Sequence, residues 1–334
     1  MVSTYFKLAL RNLRLNKAYS FINVSGLAIG IAACLLIFLV IRYELNYNQD
    51  EPNVKHIYRV ITQDKNEEGI SYNPGIPFPA LEALRADFPN IKTGALFAHF
   101  GAQVSIPSGT KNADNKFIEN EGLFFCDQDY LTIFSFKWLS GNPSVLQQPK
   151  SIVLTRKMAD KYFGDWKYAI GRQLKIDNLV DMKVSGVLEN PPLNSDFPAT
   201  MFGSFVTLKD NHYYGYTTDW GSTTSNFQVF MLVPPSLSES SVNKQLTLVA
   251  DKYYKNGNLT KRINILQPLE KIHFDTEIPG LGDHTTNKST LITLSMIGFL
   301  IIFMACINFI NLSPAQAVKR SKEIGVRKVL GSNS

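Results

Sequence analysis

The chain has 334 residues, of which 45% are hydrophobic, and a net charge of +6 from 34 basic and 28 acidic side chains. This excess does not indicate nucleic-acid binding, because it sits beside two long apolar runs and the loop between them carries more acidic than basic residues. Three cysteines, two of which fall within the apolar runs, are too few for a disulfide framework.

Residues 1–20 hold four basic side chains and no acidic one. The spacing of their apolar residues predicts an amphipathic helix that lies on the cytosolic membrane surface with its cations toward lipid phosphates. A positively charged flank with no further role explains the same composition equally well.

Two uncharged apolar runs, residues 21–41 and 291–311, are each long enough to cross the ~30 Å hydrocarbon layer of a membrane as a helix. Short basic flanks stay in the cytosol, and residues 312–334 are as basic as the amino-terminal flank. The sequence therefore predicts two transmembrane helices, cytosolic ends, and an extracytoplasmic loop formed by residues 42–290.

Two features of the first run leave alternatives open. Gly26 and Gly30 have the spacing that lets a second helix approach closely, although glycine is also common in spans without a packing role. The segment around Cys34 resembles the cleavage box of a lipoprotein signal peptide, but the run continues apolar beyond it, where a processed lipoprotein would turn polar.

The loop opens with a β-α-β pattern, and the same pattern returns later. The predicted elements are a strand at 57–62, a helix at 77–88, one or two strands within 91–106, a strand at 226–233, a helix at 236–254 and a strand at 262–266. Two such halves predict one ferredoxin-like layer of sheet and helices.

Short strands and one helix, at residues 156–163, fill the segment between the two halves. We interpret residues 110–199 as a β-rich subdomain inserted into a ferredoxin-like subdomain made of 57–109 and 200–275. The predicted fold class is α+β, with two transmembrane helices flanking this extracytoplasmic domain.

Motifs for catalysis or cofactor binding are missing from the sequence, including the ATP-binding P-loop. The five histidines lack the spacing of metal ligands. The segment with Asp127 and Asp129 lacks the glycine and the twelfth-position glutamate of a calcium-binding loop. We therefore predict no catalytic residue, metal site or cofactor. The aromatic stretch 210–216 could bind an apolar or peptide cargo, but a loop packed on the domain is the favoured interpretation.

After the second run, Pro314 is placed to begin a short basic helix that could dock on an acidic partner. Its residues 320–331, Arg-Ser-Lys-Glu-Ile-Gly-Val-Arg-Lys-Val-Leu-Gly, resemble the cytosolic segment that follows the second span in the MacB/FtsX-like family of ABC transporter permeases. The resemblance extends over the whole chain. It includes Leu10–Leu13, Arg42–Leu45, Ile57–Val60, Asp129–Phe136, Ser151–Leu154, Phe163–Gly164 and Val184–Val187.

The resemblance implies the N-terminal half of a permease in a bacterial inner membrane, with a first span, a MacB-like periplasmic core domain, a second span and a coupling segment. It implies a non-enzymatic subunit for export or mechanotransmission, in which a separate ABC ATPase drives movement of the periplasmic domain. Further implied partners are membrane lipids, a second permease copy in a dimer, and a periplasmic or outer-membrane protein. By position in the motif, the residues that would contact the ATPase are Lys322, Glu323, Ile324, Gly325, Arg327 and Lys328.

Family members have at least four spans, so we expect the chain to be a truncated piece or half of a longer permease. The cargo is not indicated by any residue pattern. An alternative is a two-span sensory receptor with a periplasmic ligand-binding domain and a truncated signalling region, although residues 312–334 lack the heptads expected of a signalling helix. A membrane-anchored enzyme would need a catalytic constellation, which the loop does not show.

Overall fold

The computed structural model describes residues 17–107, 115–120, 122–211, 213–254, 261–282 and 284–329. These residues form two compact units, one made of the helices that end at residue 45 and begin at residue 288, and one made of residues 46–287. The predicted amphipathic helix lies outside the described residues except for positions 17–20, which belong to the first long helix.

The helices are α1 (Lys17–Leu45), α2 (Ala80–Asp87), α3 (Gln128–Ile133), α4 (Arg156–Phe163), α5 (Phe205–Asn211), α6 (Glu239–Tyr253), α7 (Leu269–Ile272) and α8 (Lys288–Val329). The strands are β1 (Ile57–Asn66), β2 (Gly69–Asn73), β3 (Lys92–His99), β4 (Ala102–Ile106), β5 (Asn115–Glu119), β6 (Leu123–Cys126), β7 (Trp138–Ser140), β8 (Ser151–Thr155), β9 (Gln173–Ile176), β10 (Val180–Leu188), β11 (Met201–Ser204), β12 (Phe227–Leu232) and β13 (Lys261–Pro268).

Among the described residues, two helices are long and apolar enough to cross a membrane, α1 over Phe21–Leu45 and α8 over Lys288–Asn308. The separate helix predicted to begin at Pro314 is wrong, because α8 runs without interruption past this proline to Val329. An interior proline removes one backbone hydrogen bond and commonly bends a helix, but helical structure continues on both sides of Pro314.

The first four strands of the sheet have the order β13-β1-β12-β3, and every neighbouring pair is antiparallel. Helices α2 and α6 provide the two crossovers. Leu81 and Leu84 of α2 share one buried core with Val242 and Leu246 of α6. This is the ferredoxin-like layer that the repeated β-α-β pattern predicts.

Local sequence explains where these crossover helices begin and end. The hydroxyl of Ser238 accepts a hydrogen bond from the backbone N–H of Ser241 and caps the start of α6. Helix α2 ends at Asp87, two residues before Pro89, because the residue preceding a proline is disfavoured in a helix.

The same hydrogen-bonded sheet continues through β6, β11, β8, β10, β9, β4 and β5, so the described residues hold one 13-stranded sheet. The connection is the antiparallel pair β3 and β6, in which Phe97 faces Phe125. The inserted strands thus extend the ferredoxin-like sheet. Strands β4 and β11 pair with inserted strands, although they fall in the ranges assigned to the first subdomain, and the exact subdomain bounds stay a prediction.

The sheet separates two hydrophobic cores. One contains Val60 and Val229 beneath α2 and α6, and the other contains Phe124, Phe230 and Leu131 beneath α3. Alternation along β12 explains the division, because Val229 and Phe230 are neighbours that point to opposite faces. The mixed α+β fold class with two apolar helices is confirmed.

Candidate functional site

The two predicted packing glycines of α1 both face α8. A Cβ added to Gly30 would lie 2.9 Å from the Cβ of Ala305, and one added to Gly26 would lie 3.3 Å from Nδ2 of Asn308. Two non-bonded carbon atoms do not approach as closely as the distance at Gly30 would require. The neighbour of Gly26, in contrast, is a flexible side-chain amide that can move aside. A requirement for glycine at these positions stays a prediction.

The predicted ATPase-coupling residues lie on the last turns of α8. Gly325 is exposed, and a Cβ added there meets no described atom within 4 Å. The side chains of the other five, Lys322, Glu323, Ile324, Arg327 and Lys328, lie outside the part of the chain that the structure describes. Their role in coupling stays a prediction.

Within residues 46–287, three buried side chains form a hydrogen-bonded group, which we call the polar node. Oδ1 of Asp196 lies 3.0 Å from Nδ1 of His273, and Oδ2 accepts a 2.5 Å hydrogen bond from Nδ2 of Asn48. The backbone N–H of Asp196 in turn donates to Oδ1 of Asn48 at 3.0 Å. Asp196 and His273 are each 1% exposed, so these bonds are shielded from water.

The polar node binds the segment that follows α1 in the sequence to the rest of the domain. Asn48 adopts a left-handed backbone conformation, with φ of 58°, which asparagine tolerates better than most residues. Its backbone N–H donates to the carbonyl of Asn194, and Nδ2 of Asn194 donates to the carbonyl of Asn46. Residues 46–53, the first connector, are thereby bound to the loop that precedes β11.

The segment that precedes α8, residues 273–287, is bound at the same place, and we call it the second connector. The carbonyl of Asp196 accepts hydrogen bonds from the backbone N–H groups of Leu281 and Gly282, at 2.8 and 3.0 Å. A Cβ added to Gly280 would lie 2.5 Å from the Cβ of Asp196, so this close approach requires glycine. The ring of Tyr47 stacks on His273 with centroids 3.5 Å apart, which joins the two connectors directly.

Arg59 binds the second connector to the sheet. This fully buried side chain of β1 donates to Oε1 of Gln267 at 2.6 and 3.0 Å and to Oε1 of Gln228 at 3.0 Å. It also donates to the carbonyls of Ile278 and Pro279, at 2.7 and 2.9 Å. Burial lowers the pKa of Arg59 to about 9, an effect opposed by two nearby aspartates, so the guanidinium keeps its charge at neutral pH.

These contacts join chain segments that are far apart in the sequence. Asp196, at the end of the inserted segment, bonds to the Asn48 side chain of the first connector and to backbone N–H groups of the second connector. Arg59 donates to four acceptors, which lie on neighbouring strands and on the second connector. The side-chain bonds of Asp196 to Asn48 and His273, and those of Arg59 to the two glutamines, are buried, so they are costly to break and fix the relative position of the segments that they join.

Other residues considered from the sequence have structural partners. Asp127 accepts from the backbone N–H of Tyr130 and caps α3, while Arg85 donates to Asp127 and Asp129 at 2.7 and 3.1 Å. Burial raises the pKa of Asp127 to about 6, although Arg85 opposes the shift. The aspartate pair therefore has a helix-capping and ion-pairing role.

The aromatic stretch 210–216 is packed where the structure describes it. The hydroxyl of Tyr214 donates to Oδ2 of Asp177 at 2.7 Å, and the ring of Tyr216 lies 4.8 Å from that of Phe78. These contacts agree with the packed-loop interpretation.

Sequence reasoning missed the polar node and Arg59. One signal was available, because Arg59 is a lone charge in the otherwise apolar strand pattern Ile57–Ile61, and such a charge must find partners if the strand is buried. The three node residues come from segments more than 70 positions apart, so no local pattern could group them.

Comparison with known proteins identifies the family. Residues 20–249 match the model of the MacB-like periplasmic core domain. No curated protein matches the chain. Among solved structures, a crystallised domain of a protein from Porphyromonas gingivalis, described as a candidate permease, has a TM-score of 0.53 and 15% identity over 66% of this chain and 92% of that one.

An identity this low shows the shared fold alone, whereas the family match spans more than half of the chain and favours the permease prediction over the sensory receptor. The chain therefore belongs to the family with a MacB-like periplasmic core domain, which places it among permeases of the ABC-transporter type.

Proposed function

We propose that the chain is a permease subunit that converts ATP hydrolysis on a separate ABC ATPase into movement of its periplasmic domain, for export or mechanotransmission. In this proposal the protein lies in a bacterial inner membrane, with residues 42–290 in the periplasm and the ends of α1 and α8 toward the cytosol. A second permease copy completes a dimer, and the subunit has no enzymatic activity of its own.

The observation that carries this proposal is the polar node. A transmitter must pass displacement from its membrane helices to its external domain, so the two connecting segments have to be fixed to that domain. Asp196, which is itself buried, accepts hydrogen bonds from the second connector and from Asn48 of the first connector. The inserted strands that precede Asp196 would then move together with both connectors.

Coupling to the ATPase is proposed for the end of α8. Charged side chains at Glu323 and Arg327 would set the orientation of docking, and Ile324 would fill an apolar groove on the ATPase. Gly325 would let the two surfaces approach closely.

The first experiment is co-purification of the protein with any ABC ATPase that is encoded next to its gene. We expect a stable complex that hydrolyses ATP, and we expect Glu323→Lys and Arg327→Glu to weaken it. Lys65→Glu and Glu68→Lys reverse exposed charges in the periplasmic domain and should leave the complex unchanged. Failure of any ATPase to associate, or equal weakening by both sets of reversals, would contradict the proposal.

A second experiment separates docking from transmission. Asp196→Ala removes the acceptor at the centre of the polar node but is distant in sequence from the coupling residues. We expect this variant to retain ATPase binding and ATP hydrolysis while losing the ATP-dependent movement of the periplasmic domain, measured with spin labels on two exposed positions of that domain. Unchanged movement would show that the node does not transmit displacement.

A further inference from the structure

A cavity of about 230 Å³ opens in the periplasmic domain next to Asn48 of the polar node. Its apolar lining includes Phe134, Phe197 and Leu269, and Asn48 with Ser195 contributes polar atoms from the first connector and the loop before β11. Phe134 and Phe197 meet in an edge-to-face contact with centroids 5.9 Å apart, which gives the cavity an aromatic wall. A space of this size holds one ring with a short chain.

The buried hydroxyl of Tyr130 points to a ligand. The side chain lines the cavity and is 0% exposed, and its hydroxyl has no hydrogen-bond partner among the described residues. Burying a hydroxyl without a partner is unfavourable, and phenylalanine would provide the same ring without that cost. The ring itself is well fixed, 4.6 Å from the ring of Phe134.

The charges around the cavity favour a cation. Carboxylates of Asp50, Glu51 and Glu189 line it, against the single ammonium group of Lys137. Glu51 is half-buried, and burial raises its pKa, which means that its charge is poorly solvated and would gain from a nearby cation. Glu51 and Tyr130 line the same cavity, so one ligand could contact both.

We propose that this cavity binds a small organic cation with an apolar body. The apolar body would contact Phe134 and Phe197, and the cationic group would pair with Glu51. The Tyr130 hydroxyl, which is covered in the ligand-free structure, would become accessible through a shift of the lining side chains and would form a hydrogen bond with the ligand. Because Asn48 belongs both to the cavity lining and to the polar node, the bound ligand would contact the first connector. The site is independent of the ATPase and goes beyond the transmission function.

The test is isothermal titration calorimetry of the whole chain in detergent micelles with 2-phenylethylamine as the probe. The matched neutral and anionic probes are 2-phenylethanol and 3-phenylpropionate, which keep the ring and change the charge. We expect saturable binding of the amine at least about tenfold tighter than that of either control, as one charge-assisted hydrogen bond in a buried site supplies. Equal affinities for the amine and the alcohol, or no saturable binding at all, would overturn the proposal.

Variants of two cavity residues test whether the amine binds in the cavity. Glu51→Gln should weaken amine binding by about tenfold or more, and Tyr130→Phe by roughly three- to tenfold. Matched controls are Glu68→Gln and Tyr168→Phe, which are exposed and do not line the cavity, and these should bind like the unmodified chain. If the controls and the cavity variants behave alike, the amine binds elsewhere or enters the micelle, and the site is refuted.

One further measurement distinguishes a ligand-binding hydroxyl from a structural one. Without ligand, Tyr130→Phe should raise the melting temperature, because the variant removes an unpaired buried hydroxyl and keeps the ring. With saturating amine, the difference should shrink or reverse. A lower melting temperature without ligand would show that the hydroxyl already has a structural partner such as a buried water, and would count against a role in ligand binding.

Discussion

The carboxylate of Asp196 faces the imidazole of His273 across 3.0 Å in a region where neither side chain is more than 1% exposed. Asp196 also accepts a hydrogen bond from Asn48, and its backbone holds Leu281 and Gly282. A single residue at the end of the inserted segment therefore fixes the chain on its way from α1 and on its way to α8.

Asp196→Ala should destabilise the periplasmic domain by about 3 kcal/mol, because it removes a buried carboxylate that pairs with His273 and accepts a hydrogen bond from Asn48. Unfolding in urea can be followed by tryptophan fluorescence, since Trp138, Trp166 and Trp220 all lie in this domain. The matched control is Asp181→Ala, whose side chain is 67% exposed and which should change stability by less than about 0.5 kcal/mol. Similar losses for both variants would disprove the special position of Asp196.

Arg59→Met should cost at least about 3 kcal/mol, because the donors to two glutamine side chains and two connector carbonyls are lost together. Arg59→Lys should recover only part of this loss, since one ammonium group cannot reach acceptors that the planar guanidinium spans. The same urea titration measures both. Arg156→Met, at a half-exposed position, serves as the control. Full recovery by lysine would mean that charge alone matters.

Gly30→Ala should weaken the packing of α1 on α8 by about 1–3 kcal/mol, because the added methyl group would collide with Ala305. Gly26→Ala should cost less, since its neighbour is the movable amide of Asn308. The measurement is the distance between spin labels on Cys34 of α1 and Cys306 of α8, with buried Cys126 replaced by alanine. We expect a longer and broader distance for Gly30→Ala alone. The same distances in both variants would argue against close packing at Gly30.

Binding of 2-phenylethylamine should weaken as the pH falls from 7 to 5. Burial raises the pKa of Glu51 above its ordinary value of 4.5, so protonation removes its charge earlier on the acid side than for an exposed glutamate. The other ionisable groups that line the cavity are Asp50, Tyr130, Lys137 and Glu189. In Glu51→Gln the remaining affinity should depend less on pH over this range, as titration calorimetry can measure. An unchanged slope in the variant would assign the pH dependence to another of these groups.

Lowering the pH changes the contribution of Glu51 to folding stability in the direction opposite to its effect on ligand binding. A carboxyl group whose pKa is raised in the folded state binds protons more readily there than in the unfolded chain, so Glu51 favours folding as the pH is lowered toward its ordinary pKa. Acid should therefore weaken the ligand complex while leaving this part of the domain folded. Circular dichroism at each pH separates loss of binding from unfolding.

The sequence predicted features that depend on local patterns. The repeated β-α-β periodicity located the ferredoxin-like layer, and helix α4 occupies the predicted range 156–163 because Gly164 can adopt the left-handed conformation that ends it, with φ of 82°. Long apolar runs likewise predicted α1 and the first half of α8. These signals act within a few residues of the element that they specify.

Pairing between distant segments could not be predicted in the same way. Nothing in the composition of residues 110–199 shows that their strands extend the first sheet through β3 and β6, because a hydrophobic strand can pair with either neighbour. The continuity of α8 was missed for a related reason. Pro314 favours a helix start when the local sequence is read alone, but the helix on both sides of it is long enough to persist.

Helix α8 has a consequence that follows from its length. Its 42 residues correspond to about 63 Å of continuous helix, roughly twice the thickness of a hydrocarbon layer. The candidate span Lys288–Asn308 uses only half of this length, and the other half contains Pro314, a residue at which long helices commonly bend. Residues 309–329 would therefore continue as helix for about 30 Å outside the hydrocarbon layer, with a natural point of bending at Pro314.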